Sequence, residues 1–167
     1  MGKILYECHF EFHFMMLLPF IMLICSVYFP IILKKECTQK NYNLDYKIIK
    51  KIFACITIIM IIVAIYEICF FTSMYKETIV AYQNGDYQIA EGYVEKFDPM
   101  PYSGHSRECF EINNVKFEYS DYTLTIGYHN AKSHGGVIKG DGQHLKIGYV
   151  RYGSGHRNVI VYIEELP

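Results

Sequence analysis

The chain contains no tryptophan, no C-x-x-C pair and no G-x-x-x-x-G-K-[ST] segment. Without C-x-x-C spacing a structural zinc ribbon or finger is excluded, and without the Gly-Lys-Ser/Thr run so is a P-loop. The six cysteines form no disulfide framework. Cys25, Cys55 and Cys69 lie in apolar runs, Cys8 and Cys37 flank them, and Cys109 stands alone in the polar part. That part must therefore hold without disulfides, which fits a reducing compartment. Its histidines (105, 129, 134, 144 and 156) show no i, i+4 or H-x-E spacing, so no metal and no cofactor is implied. Ser-Gly-His occurs at 103–105 and 154–156, and Ser133 precedes His134. Neighbouring Ser and His in turns do not supply the base geometry, orienting carboxylate and oxyanion hole of a hydrolase, and no enzyme is expected. A broad excess of positive charge is also missing. From Asp86 onward eight basic residues face eleven acidic ones, a net of −3, which disfavours DNA or RNA as a partner.

Two long apolar runs are present, at about 10–33 and 52–75. Each exceeds the ~20 helical residues that span a bilayer core, so the sequence predicts a transmembrane helical hairpin with lipid as its solvent. The first run lacks a small-x-small cleavage site before Lys34-Lys35 and reads as a retained helix, bent near Pro19. Between the runs, residues 34–51 carry six lysines against Glu36 and Asp45, a net of +4. The second helix continues through "KETIVAYQNG" as a stalk over 77–86, with Asn84-Gly85 as its C-terminal signal. Glu67 interrupts the second run nine residues before Lys76, about 13 Å along a helix. A carboxylate in an apolar helix reads as functional, and the hairpin brings His13 to a similar depth, so a Glu67–His13 pair is expected. Two helices enclose no pore, so any action on the membrane requires a homo-oligomer.

Beyond residue 87 the period changes from helical to alternating. "IAEGYVEKF" (89–97), "RECFEI" (107–112), "VKFEY" (115–119), "YTLTI" (122–126), "HLKIGY" (144–149) and "NVIVYIE" (158–164) predict six strands. Asn113-Asn114 marks a two-residue hairpin. With no helix between strands, the expected fold over 87–167 is a small antiparallel β-barrel or sandwich. The segment "SHGGVIKGDGQH" (133–144) precedes a strand, not a helix, so Lys139-Gly140-Asp141-Gly142 reads as a turn. Nine of the sixteen tyrosines fall between Tyr87 and Tyr162. Besides core and rim roles, they suggest a ligand mouth in which Tyr122, Tyr128 and Tyr149 stack on a planar base, with Arg107, Arg151 or Arg157 meeting a phosphate.

On "GYVEKFDPMPYSGH", "FEINNVKFEYSDY", "SHGG" and "LKIGY", residues 92–164 resemble a widespread group of uncharacterised bacterial membrane proteins. In architecture the chain is similar to the two-transmembrane β-barrel effectors of anti-phage signalling systems. That resemblance implies a barrel that binds a cyclic nucleotide and helices that oligomerise to damage the inner membrane. It carries over no site residue. The lysine-rich segment pulls the other way. Short lysine-rich loops stay cytoplasmic, which places the β-domain outside and favours an extracytoplasmic envelope interaction or immunity-type protein, the alternative reading.

Overall fold

The computed structural model describes residues 2–9, 17–39, 46–123, 125–152 and 157–167. The chain divides into two compact units, one formed by Met1–Glu11 with Ser73–Pro167 and the other by Phe12–Thr72.

The second unit holds α1 (Leu18–Gln39) and α2 (Tyr46–Tyr75). Residues 10–16, on the far side of the bend expected near Pro19, lie outside the described residues, and Pro19 stands at the start of α1. It lies in the first turn, where the missing N–H is one of the groups a helix leaves unpaired anyway. The proline inside the helix is Pro30. The two helices meet through the Ser26 and Thr57 hydroxyls, 3.1 Å apart, and through Phe29 and Phe53, whose ring centres are 5.5 Å apart. Most other described apolar side chains of both helices are exposed. The stretch Lys51–Asn84, whose most apolar 18-residue window has a mean hydropathy of 2.7, is long and apolar enough to cross a membrane. The apolar part of α1, Leu18–Ile32, is shorter.

The first unit is built from β1 (Lys3–Glu7), β2 (Gln88–Tyr93), β3 (Glu95–Asp98), β4 (Glu108–Ile112), β5 (Val115–Tyr119), β6 (His144–Tyr152) and β7 (Arg157–Glu165). They form two antiparallel sheets, β1-β7-β6-β2 and β3-β4-β5. The buried Val94 separates β2 from β3, so one run of chain passes from sheet to sheet, and Asn158 Nδ2 donates to the Lys116 carbonyl to tie β7 to β5. Between the sheets lie Phe110, Ile112, Phe117, Ile138, Leu145, Ile147, Ile160 and Ile163, all fully or almost fully buried. Asn113 and Asn114 both take left-handed backbone (φ 48° and 62°), the geometry that the expected two-residue hairpin requires.

Two elements differ from expectation. "YTLTI" forms no strand among its described residues: Thr123 N donates to the Ser120 carbonyl and the segment turns. The residues before the first apolar run, which no sequence signal singles out, form β1 at the edge of the larger sheet.

The stalk belongs to this unit. After α2 a π-helical turn, Lys76–Val80, leads into α3 (Ala81–Asn84), which ends at Gly85 with φ 77°. The π turn buries Thr78 and Ile79, and Ile79 packs with Cys8, Val150 and Val161 on the sheet face away from the main core. The Thr78 hydroxyl donates to the Met74 carbonyl within the widened turn. Alongside, Tyr82 O–H donates to Glu7 Oε1 at 3.1 Å. Burial with Glu164 pushes the Tyr162 hydroxyl up to about 12. Burial also raises Tyr128 to about 12. These groups hold their protons more tightly folded than unfolded. Their contribution to stability is complete below about pH 10 and is lost as pH rises through about 12. The fold should thus loosen over that window, with a late fraction in the tyrosinate absorbance titration. A single transition near pH 10 with the fold intact contradicts this.

Candidate functional site

The site begins at a carboxylate inside the core. In β4, Glu108 alternates in phase with Phe110 and Ile112, so the pleat points it inward with them, and it is fully buried. A buried carboxylate is costly unless its oxygens accept hydrogen bonds. Tyr119 O–H, directly opposite on β5, donates to Oε1 at 2.5 Å. Lys132 N–H reaches both oxygens at 3.2 and 3.0 Å, and Met100 N–H approaches Oε2 at 3.4 Å. Burial, then Glu108, raises the Tyr119 hydroxyl far above the usual tyrosine range, so it stays protonated and donates. Glu108 therefore fastens two loops, around Met100 and around Lys132, to the end of the smaller sheet.

Those loops carry the accessible chemistry. Asp121 Oδ1 accepts Ala131 N–H at 2.6 Å, while Oδ2 holds His134 Nδ1 at 2.5 Å. With Nδ1–H given to Asp121, Nε2 is the free nitrogen of the ring. It has no hydrogen-bond partner among the described residues, and the side chain is 35% exposed. The two glycines that follow have steric reasons. Gly135 takes φ 89°, and a Cβ on Gly136 would strike the Asn130 and Ala131 carbonyls. So "SHGG" is a short 3₁₀ turn (Lys132–His134) that presents an oriented imidazole. Tyr102 lies beside it, ring centres 5.4 Å apart, and is 79% exposed. Tyr122, also exposed, stacks on His105 at 4.9 Å over Gly104, whose missing Cβ leaves room for the ring.

The six residues expected to line one mouth are not brought together. Tyr122 belongs to this platform. Tyr128 and Tyr149 are core residues: Tyr128 stacks edge-on with Tyr6 and Tyr119 and accepts Val137 N–H, and Tyr149 sits edge-on to Phe117. Arg107 and Arg157 share a cleft at the seam of β5 and β7. Arg151 borders a separate open groove of about 560 Å³ between the stalk and β6, with Glu77 and Asp86. In α2, Glu67 Oε2 is buried and without a hydrogen-bond partner among the described residues. His13, its expected partner, lies outside them. Lys139–Gly142 is a turn, in which the Asp141 carboxylate accepts Phe97 N–H. Among the described residues no three His, Cys, Asp or Glu side chains are grouped to hold a metal ion.

Glu108, Asp121, His134, Tyr102, His105 and Tyr122 make the site, and of these the sequence pointed only to Tyr122 as a ligand contact. For Glu108 a signal existed in its phase with Phe110 and Ile112. Compared with family models, curated proteins and solved structures, the chain matches none.

Proposed function

We propose that the chain is a two-pass membrane protein whose β-domain binds a planar, anionic ligand of the cyclic-nucleotide kind on the Tyr102–Tyr122–His134 platform, and whose helices associate with other copies to perturb the bilayer. The observation that carries the binding half is the Asp121–His134 pair, with the exposed Tyr102 ring beside the imidazole and Tyr122, next to Asp121 in sequence, stacked on His105. A base stacked on such a ring gains roughly 1–3 kcal/mol. When protonated, His134 donates from Nε2 to a phosphate oxygen while Asp121 balances its charge. Binding suits the site better than hydrolysis, because Ser133 Oγ lies 3.5 Å from Nδ1, the nitrogen that Asp121 already occupies.

Strand β1 supports the two-pass half. It pairs with β7, so the chain leaves and rejoins one sheet with α1 and α2 in between. Such a chain crosses a bilayer an even number of times. If α2 crosses, α1 is the second crossing, with Lys34 and Lys35 reaching to the interface to make up its shorter apolar length. The unpartnered Oε2 of Glu67 favours a neighbouring helix or a hydrated lumen over lipid.

The test uses the full chain in neutral detergent, titrated with cyclic mono- and dinucleotides. Tyr122→Ala or His134→Ala should weaken binding roughly tenfold. In membranes, Glu67→Ala should reduce crosslinked oligomers and overexpression toxicity. Absence of binding across the nucleotide series rejects the ligand, and unchanged oligomers reject the role of Glu67. A second reading, an envelope interaction protein, is favoured by the six lysines of residues 34–51. Reporter fusions at Pro167 separate the two: an external β-domain ends cytoplasmic nucleotide sensing.

A further inference from the structure

Away from the platform, a cleft of about 240 Å³ opens along the seam of β5 and β7, lined by Arg107, Lys116, Glu118, Arg157 and Asn158. Three cations meet one carboxylate there, in a domain whose net charge from Asp86 onward is −3. Glu118 serves two of them. It pairs with Arg107, and Lys116 Nζ lies 3.6 Å from its other oxygen. Arg107 holds the Glu118 carboxyl below its usual range, so the group stays ionised at neutral pH. Arg157 is exposed and makes no ion pair among the described residues. Its neighbour Asn158 donates to the Lys116 carbonyl at 2.8 Å, which fixes the start of β7 against β5 and holds the cationic side chains around one opening.

We propose that this cleft is a binding site for a phosphate monoester group, with Arg157 and Lys116 as its main contacts and Glu118 as a built-in competitor. The local excess of two positive charges matches a group carrying about −1.5 to −2 at pH 7. Guanidinium forks fit phosphate oxygens in pairs. The cleft is below the roughly 300–1,000 Å³ of pockets that enclose a whole small molecule, so it takes the phosphate and leaves the remainder of the ligand outside. That chemistry is shared by free phosphate and by the headgroup of an anionic lipid. The inference is independent of the platform, since none of the cleft residues belongs to it.

The experiment titrates the full chain in neutral detergent with inorganic phosphate, and separately with a soluble short-chain phosphatidic acid, at constant ionic strength. Short-chain phosphatidylcholine is the control and melting temperature the readout. A saturable rise is expected. Arg157→Ala should weaken it roughly tenfold, the loss of one charge-assisted contact. Glu118→Gln should tighten it roughly fivefold by removing the competing carboxylate. A merely structural Glu118 does not give that gain. Response to phosphate alone identifies a free-anion site, response to phosphatidic acid alone a headgroup site, and response to both a general phosphate site. No saturable response to either, or unchanged affinity in both variants, overturns the proposal.

Discussion

Glu108→Ala is expected to lower the melting temperature of the β-domain by roughly 15–30 °C, at about 4–8 °C per kcal/mol for a domain near 100 residues. The substitution removes the acceptor shared by Tyr119 O–H and Met100 N–H, both buried, and by the partly buried Lys132 N–H. Each orphaned donor costs about 1–3 kcal/mol, and shortening the side chain adds a cavity. The total, about 4 kcal/mol, is a large share of the stability of any small domain. Glu108→Gln keeps one carbonyl acceptor but turns an NH₂ toward a backbone donor, so roughly half that loss is expected. Both should also release the 131–136 loop and blur the His134 platform, giving weaker ligand binding before the fold is lost. The measurement is thermal unfolding of the full chain followed by near-ultraviolet tyrosine circular dichroism, because α1 and α2 dominate the far-ultraviolet signal. A Glu108→Ala protein that melts within two or three degrees of the parent refutes the clamp.

What could be read in advance follows from the range of each interaction. The β4–β5 hairpin was legible because its instructions are local: two asparagines that tolerate left-handed backbone, between runs that alternate every second residue. The stalk was legible too, since Asn84-Gly85 states its own end. The core placement of Tyr149 was implicit, as it shares a face with Leu145 and Ile147. By contrast, Asp121 and His134 lie thirteen residues apart on two irregular loops, and no period relates them. "YTLTI" alternates like a strand, but Asp121 is spent on the Ala131 amide and Tyr122 on His105, so the ladder gives way to side-chain bonds. The hardest element was β1. Its partner is about 160 residues away, and five residues of mixed polarity carry little pattern of their own.

That distant strand yields the other large effect. Deleting residues 3–8 should destabilise the β-domain by about 3–5 kcal/mol, from apolar burial alone. β1 covers the edge of β7 through Lys3–Glu165, Ile4–Glu164, Tyr6–Ile163 and Glu7–Tyr162 pairs. It seats Leu5 and Tyr6 against the main core, where Tyr6 meets the Tyr128 ring edge-on at 5.1 Å. Cys8, buried, joins Val161 and the stalk residue Ile79, and its thiol donates to the Ile126 carbonyl at 3.2 Å. Removal exposes all of these and leaves β7 as a bare edge of alternating apolar residues, a template for pairing between chains. A fragment spanning 73–167 alone should therefore be aggregation-prone and melt well below one in which residues 1–11 are joined to Ser73 by a flexible linker. Supplying the strand as a free peptide should rescue it only partly, because association then carries an entropic cost that the covalent chain avoids. Equal melting temperatures for the 73–167 fragment with and without the linked strand refute this role. If the linked form is the stable one, the strand does more than finish a sheet. It binds the chain ahead of α1 and the chain behind α2 into one folded body.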